Sequence, residues 1–177
     1  MPNKDALREL QLRLAQRLQA VREQPREAGW LAVEVAGVGV LLPLGQVGEI
    51  HSARPLTPVP HARPWLLGVA NLRGQLFGVV DLARFLHLRD TAQAPAGAQF
   101  VALNASLRVN AALRVDRLLG LRDAAQLQQL GGDGAPAAPG FAGSRWRDAP
   151  GRVWQAFDLA ALAADARFLD VADTESP

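Results

Sequence analysis

The chain has 177 residues, of which 49% are hydrophobic and 20% are charged, and it contains no cysteine. This composition is typical of a globular protein and excludes an intrinsically disordered chain. The lack of cysteine excludes disulfide scaffolds, thiol catalysis and cysteine zinc sites. The formal net charge is only +2, so the overall charge does not indicate a nucleic-acid-binding protein.

The basic residues concentrate in the middle of the chain, because residues 50–122 hold nine basic and three acidic residues. Such an excess fits an acidic partner surface or a solvated face, and we favour the solvated face. A small basic β-barrel with stacking aromatics such as Trp65 and Phe77 would also fit single-stranded nucleic acid. These aromatic residues lie at strand positions typical of a core. Nucleic-acid binding is therefore a minor alternative, and we expect no nucleic-acid partner.

The first segment predicts an amphipathic helix. Apolar residues recur at spacings of three and four with charged residues between them, at Leu7, Leu10, Leu14, Leu18 and Val21. Pro25 and Gly29 end the pattern. We predict an N-terminal helical arm over residues 1–28 and a main domain over residues 29–173. The apolar stripe fits packing on this domain or on another protein, and we favour its own domain.

The chain shows no sign of export or membrane insertion. Charged residues interrupt the N-terminus where a signal peptide needs an apolar stretch. The longest strongly apolar run, residues 35–48, contains Gly and Pro and is shorter than the roughly 20 residues that span a bilayer. We therefore expect a cytoplasmic protein with no direct membrane insertion.

From Trp30 onward the pattern changes to short apolar runs between Gly and Pro residues, which indicates strands. The predicted strands are residues 30–35, 38–42, 75–80, 99–103, 112–118, 141–147 and 152–157. Seven or more short strands predict a mostly β sandwich or barrel. Residues 131–140 are rich in Gly and Pro and predict a flexible surface loop, and residues 90–97 predict a shorter one.

A ten-residue similarity links two parts of the chain. Residues 74–83 resemble residues 151–160: in both, a Gly turn opens a strand that contains an aromatic residue and ends in Asp, at Asp81 and Asp158. Each Asp is placed to cap a short helix by accepting backbone N–H groups. We therefore predict helices through residues 85–86 and 162–163, and two similar subdomains. A chance match over ten positions is the alternative.

Few residues form a catalytic pattern. His51, His61 and His87 lack metal-ligand spacing and are interpreted as surface or structural residues. Asp81 and Asp158 fit a general acid–base pair less well than helix caps. The glycines and serines lack the spacing of a phosphate loop, a dinucleotide fingerprint or a nucleophile elbow. We expect no enzyme activity, no metal and no cofactor.

Residues 64–86 carry the most specific signal in the sequence. Their Gly-Val-Ala-Asn-Leu-Arg-Gly run, residues 68–74, is followed by an apolar strand and Asp81-Leu82. Arg73 follows an apolar stretch, and a guanidinium in apolar surroundings must pair with a carboxylate or face a partner. This segment closely resembles the hallmark of CheW-like adaptor domains. The run Val-Gly-Glu-Ile at residues 47–50 is similar to the family pattern as well, and the resemblance covers about residues 30–165.

The resemblance implies a fold and a function. The expected fold has two five-stranded β-barrel subdomains that share a core, with short helices. The implied function is non-catalytic: an adaptor between a CheA-type histidine kinase and the cytoplasmic tip of a methyl-accepting chemoreceptor, in membrane-bound receptor arrays. The N-terminal arm and the run at residues 168–172 are more similar to the type IV pilus (twitching) branch than to the flagellar branch, which remains the alternative.

The resemblance also implies the receptor-side residues, which are Val47, Glu49, Gly68, Asn71 and Arg73. It implies an ion pair between Glu49 and Arg73, so that Arg73 fits a structural role, a partner-facing role or both. Val47 is equally consistent with core and surface, and Gly68 with a purely conformational role. Two departures from the family pattern, at Gly78 and at residues 110–111, leave the strand edges open without affecting the Asn-Leu-Arg-Gly turn.

Overall fold

The computed structural model describes residues 29–91, 93, 95–131 and 139–173. These residues form strands β1 Trp30–Val35, β2 Val38–Pro43, β3 Val47–Ser52, β4 Leu66–Leu72, β5 Gln75–Asp81, β6 Gln99–Leu103, β7 Ala111–Val115, β8 Arg117–Arg122, β9 Leu127–Leu130, β10 Ala142–Asp148 and β11 Val153–Phe157, with helices α1 Leu82–Phe85, α2 Leu159–Ala164 and α3 Ala166–Leu169. The predicted N-terminal arm and most of the predicted loop at 131–140 lie outside the described residues, as do two positions of the loop at 90–97. No helix in the described part of the chain is long and apolar enough to cross a membrane.

The strands form two sheets with matching topology. Sheet A has the order β8-β1-β2-β11-β10-β9, and sheet B has the order β3-β6-β7-β5-β4. In each sheet two hairpins meet through one parallel pair, β2 with β11 in sheet A and β5 with β7 in sheet B. The mostly β prediction is confirmed. The expected five strands are found in sheet B, whereas sheet A gains a sixth, β9, along β10.

The chain passes from sheet A to sheet B after β2 and returns to sheet A after β7. The β1–β2 hairpin belongs to sheet A, but the following β3 pairs with β6 in sheet B. The β6–β7 hairpin belongs to sheet B, but the following β8 pairs with β1 in sheet A. This exchange joins the two sheets around one large apolar cluster, in which Val33 and Leu113 are fully buried. Smaller clusters lie within sheet B around Phe100 and within sheet A around Trp154.

The single strand predicted over residues 112–118 is wrong. The structure ends β7 at Val115 and begins β8 at Arg117, so the chain crosses from sheet B to sheet A at Asp116. The Asp116 backbone N–H donates to the Glu34 carbonyl, and its carboxylate accepts from the Ala36 N–H at 2.7 Å. The sequence gives no local sign of this break, because the apolar pattern of residues 112–118 continues through the change of sheet.

The ten-residue similarity marks equivalent elements. Its copies form β5 with α1 and β11 with α2, one in each sheet. Asp81 accepts from the Ala83 N–H, and Asp158 accepts from the N–H groups of Ala160 and Ala161, as the capping prediction requires. The predicted helices and the two similar halves are therefore present.

A buried cluster of charges lies where the two sheets meet. Asp81 is fully buried and forms ion pairs with Arg114 on β7 and with Arg89, which follows α1. Arg89 also bonds Asp116 at 3.1 Å. Because Asp116 holds the Ala36 turn between β1 and β2, the cluster ties sheet B to the hairpin of sheet A. Buried charges are tolerated when they are paired in this way.

Candidate functional site

The predicted polar turn is the tip of the β4–β5 hairpin. Its two turn residues, Arg73 and Gly74, have φ of 50° and 86°, which is the left-handed conformation of a two-residue type I′ turn. Asn71 stabilises the turn, since its Oδ1 accepts from the Gly74 N–H at 2.7 Å. Leu72, just before the turn, is buried. The hairpin therefore anchors an apolar side chain and projects Arg73 outward.

The expectation that Arg73 lies in apolar surroundings is wrong. Its side chain is 77% exposed, because a tight turn at the end of two strands points its first residue into solvent. The guanidinium still has a specific partner: its Nη1 lies 2.8 Å from Oε1 of Glu49 on β3. The ion pair implied by the resemblance is thus present.

This ion pair joins the two edge strands of sheet B. Glu49 lies on β3 and Arg73 at the end of β4, which are the first and last strands in the sheet order. On the same side, Arg54 Nη1 donates to the Asn71 carbonyl at 3.2 Å. These contacts close sheet B on itself at the hairpin end. The ion pair therefore has a structural role, although an exposed ion pair contributes only about 0–1 kcal/mol to the free energy of unfolding.

His51 belongs to the same cluster, although the sequence indicated only a surface or structural residue. Its Nε2 lies 3.5 Å from the second oxygen of Glu49, and its side chain is 9% exposed. The signal that identifies it is the i, i+2 spacing from Glu49, which places both residues on one face of β3.

The cluster borders a cavity of about 310 Å³. Arg73, Glu49 and His51 form its polar wall, and Phe77 and Leu72 contribute apolar surface. No group of three or more His, Asp or Glu residues in the described ranges could hold a metal ion. Charged side chains therefore lie beside apolar side chains at this end of sheet B.

The five predicted receptor-side residues are only partly brought together. Glu49, Asn71 and Arg73 share the hairpin end of sheet B. Gly68 lies further along β4 and is buried, with φ of 140°, and a Cβ there would stand 2.4 Å from the Thr57 carbonyl oxygen. Val47 belongs to the shared core at 9% exposure. Gly68 and Val47 therefore have packing roles in the isolated chain.

Comparison with known proteins places the chain. A family model described as "CheW-like domain" matches residues 29–167. The chain belongs to the CheW-like domain family. It is 33% identical to Protein PilI of Pseudomonas aeruginosa over 167 residues, which is 90% of this chain and 89% of that protein. A 43-residue stretch is 44% identical to the chemotaxis protein CheW of Rhizobium meliloti, covering 24% of this chain and 28% of that protein.

A solved structure shares the fold. The scaffolding protein TtCheW from Thermoanaerobacter tengcongensis superposes with a TM-score of 0.63 over 75% of this chain and 89% of its own. Sequence identity in that match is 16%, so the likeness concerns the fold alone. The family predicted from the Asn-Leu-Arg-Gly segment is therefore confirmed by the sequence matches and the CheW-like fold by the structural one.

Proposed function

We propose that the chain is a non-catalytic chemosensory adaptor that couples the cytoplasmic tip of a methyl-accepting receptor to a CheA-type histidine kinase. We place it in type IV pilus (twitching) signalling, in the cytoplasm at membrane-bound receptor arrays. The observation that carries the proposal is the family match over residues 29–167 together with a PilI relative of almost equal length. The adaptor domain is assigned to residues 29–173 and the N-terminal arm to residues 1–28.

The surface chemistry supports an adaptor. Arg73 and Glu49 form an exposed ion pair at the rim of a cavity with both polar and apolar walls, so a partner can engage charge and apolar area together. Asp81 and Asp158, the two carboxylates considered as an acid–base pair, both cap helices. We assign Arg73, Glu49 and Asn71 to direct receptor contact, and Val47 and Gly68 to the packing that holds this surface.

The test is a pull-down from native cell extract with the tagged full chain, followed by mass spectrometry. The wild type is expected to capture a CheA-type kinase and a methyl-accepting receptor. Arg73→Glu is expected to keep the kinase and lose the receptor. Arg117→Glu is the matched control, because Arg117 is 68% exposed and faces Glu34 at 4.0 Å on sheet A, and it should retain both partners.

A charge-reversal variant separates recognition from pairing. Arg73→Glu with Glu49→Arg restores an ion pair in the opposite sense. If the double variant captures the receptor, binding requires the ion pair that closes sheet B. If the double variant does not capture it, the receptor contacts the Arg73 guanidinium directly. Capture of flagellar components instead of pilus components would overturn the pilus assignment. Capture of nucleic acid or an unrelated enzyme, with neither expected partner, would contradict the adaptor function.

A further inference from the structure

A second cavity, of about 550 Å³, lies at the edge of the shared core. Strands β2, β10 and β11 of sheet A supply one side of it, and Leu86 and Leu88, which follow α1, supply the other. It shares no lining residue with the cavity beside Arg73. The proposed receptor contact therefore leaves this second cavity unused. We call it the sheet A cavity.

The sheet A cavity is lined mostly by apolar side chains. Two of them, Val40 and Phe157, are buried members of the shared core. Val38 precedes Val40 by two residues, so it lies on the same face of β2, yet it is 40% exposed. Across the cavity, Leu88 is 44% exposed. The apolar face of sheet A therefore continues beyond the core and stays open to solvent.

Three polar side chains, Arg145, Arg152 and Gln155, also line the cavity. Arg152 is already paired, since its Nη2 lies 2.9 Å from Oε2 of Glu34. Gln155 lies directly opposite Arg145 in the strand register, and its Nε2 donates to two backbone carbonyls. No carboxylate of the described residues lies within ion-pair distance of Arg145. The Arg145 guanidinium is therefore the group left to bind a ligand.

The size and lining of the cavity indicate the chemistry of its ligand. Small-molecule sites are concave cavities of roughly 300–1,000 Å³ that combine apolar walls with a few polar groups, and the sheet A cavity has this size and composition. Its described lining contains two arginines and no carboxylate, so it favours an anion over a cation. A guanidinium binds a carboxylate through two parallel hydrogen bonds. Arg145 alone matches the single charge of a carboxylate better than the nearly double charge of a phosphate monoester at neutral pH.

We propose that the sheet A cavity binds a small apolar carboxylate, such as a medium-chain fatty acid. The carboxylate accepts hydrogen bonds from the Arg145 guanidinium, and the chain lies between Val38 and Leu88. Arg145 is opposite Gln155, and Val153 is two residues from Gln155, so the head group and the chain contact the same face of sheet A. This site does not depend on the proposed adaptor function.

The first test is a titration of the full chain with decanoate, followed by methyl NMR. The methyl signals of Val38, Val153 and Leu88 should shift until the site is saturated, whereas those of Leu76 on sheet B should not move. Decyltrimethylammonium, which has the same chain and the opposite charge, should bind roughly tenfold more weakly. Absence of shifts with decanoate would overturn the proposal. Equal affinity for the two ions would also overturn it, because the cavity would then bind apolar chains without recognising the carboxylate.

Variants of Arg145 test the contact with the head group. Arg145→Gln should weaken decanoate binding roughly tenfold, because the charge-assisted hydrogen bonds are lost. Arg145→Glu should reverse the preference and bind decyltrimethylammonium more tightly than decanoate. Arg117→Gln is the matched control and should keep wild-type affinity, since Arg117 is 68% exposed on β8, which β1 and β2 separate from β11. Wild-type affinity for decanoate in Arg145→Gln would contradict the proposal.

A variant of Leu88 tests the contact with the apolar chain. Leu88→Glu should weaken decanoate binding at least tenfold, because it replaces an apolar wall with a charge of the same sign as the ligand. Leu76→Glu is the matched control, since Leu76 is 61% exposed on sheet B, and it should keep wild-type affinity. Circular dichroism should show both variants folded, because both replace exposed side chains. Wild-type decanoate affinity in folded Leu88→Glu would refute the site.

Two further measurements test other occupants of the cavity. The Val38 and Leu88 signals should not change with protein concentration in the absence of decanoate. A change would make the cavity an interface between copies of this chain and overturn the small-ligand site. The purified receptor tip and kinase captured in the pull-down should also leave both signals in place. Shifts caused by either protein would assign the cavity to a protein interface instead.

Discussion

Two clusters of arginine and carboxylate in this chain use the same chemistry in opposite surroundings. Between the sheets, Asp81 is fully buried and pairs with Arg114 and Arg89. At the β4–β5 hairpin, Arg73 is 77% exposed and pairs with Glu49, which is 53% exposed. Removing one member of a buried cluster leaves a charge without water, whereas solvent already weakens an exposed pair. Stability therefore depends on the first cluster, and the second can change without unfolding the domain.

Removing the buried carboxylate is expected to have the largest effect. Asp81→Ala should lower the free energy of unfolding by about 3–5 kcal/mol, because the Arg114 guanidinium stays buried after its Asp81 carboxylate is removed. The variant also removes the cap of α1. Urea unfolding followed by circular dichroism measures the change. The double variant Asp81→Leu with Arg114→Met should recover much of the loss, since an apolar pair of similar size needs no counter-charge. If Asp81→Ala lowers the free energy of unfolding by less than about 1 kcal/mol, the buried cluster does not stabilise the fold more than the exposed pair does.

Gly68 tests whether a predicted receptor-side residue near the exposed pair is structural. Gly68→Ala should cost about 1–3 kcal/mol from backbone strain alone, and the added Cβ would also meet the Thr57 carbonyl oxygen at 2.4 Å. Gly78→Ala on the neighbouring strand is the control, because a Cβ there has its nearest neighbour at 3.6 Å. Differential scanning calorimetry of both variants should show a clear drop for Gly68→Ala alone. Equal melting temperatures would refute the packing role.

Local chemistry determined the parts of the fold that the sequence predicted. Asp81 and Asp158 end apolar strands and cap helices, which are contacts within three residues. Strands β3, β4 and β9 were not predicted. Strands β3 and β9 lie at sheet edges and expose most of their side chains, so they lack apolar alternation. The exchange of β3 and β8 between sheets depends on pairing between distant segments, which no local pattern encodes.

The sequence predicted most of the residues of the candidate site but not their positions in the fold. The Asn-Leu-Arg-Gly segment located Arg73 and, through the family resemblance, its partner Glu49. Val47 is buried because it joins the core shared by the two sheets, and Gly68 because it packs against Thr57. Both burials depend on residues outside the local segment, whereas the exposure of Arg73 follows from the β4–β5 turn. His51 was missed as a member because its i, i+2 spacing from Glu49 indicates a shared face only on a strand, and β3 was not predicted as one.

The exposed pair should contribute little to stability. Arg73→Ala is expected to change the free energy of unfolding by less than about 1 kcal/mol, because both side chains are largely hydrated before and after the change. Urea titrations at low and high salt check this, and the wild-type value should exceed that of the variant slightly more at low salt. Arg117→Ala serves as the control on sheet A. A loss as large as that of Asp81→Ala would make Arg73 a structural residue.

Replacing Asp165, at the start of α3, should have the smallest effect on the free energy of unfolding, and this effect should depend on pH. Partial burial raises the pKa of Asp165, but hydrogen bonds from the Arg167 side chain and backbone, together with its positive charge, outweigh burial and hold the pKa below its ordinary value. A carboxyl whose folded pKa is lowered stabilises the fold above its unfolded pKa and loses that contribution as the pH falls through the folded pKa. Asp165→Asn keeps a capping side chain, so at neutral pH it should lower the free energy of unfolding by no more than about 1 kcal/mol. Unfolding of both proteins at neutral and acidic pH should show the difference shrinking in acid. An NMR titration that finds the Asp165 pKa at or above its ordinary value would contradict this assignment.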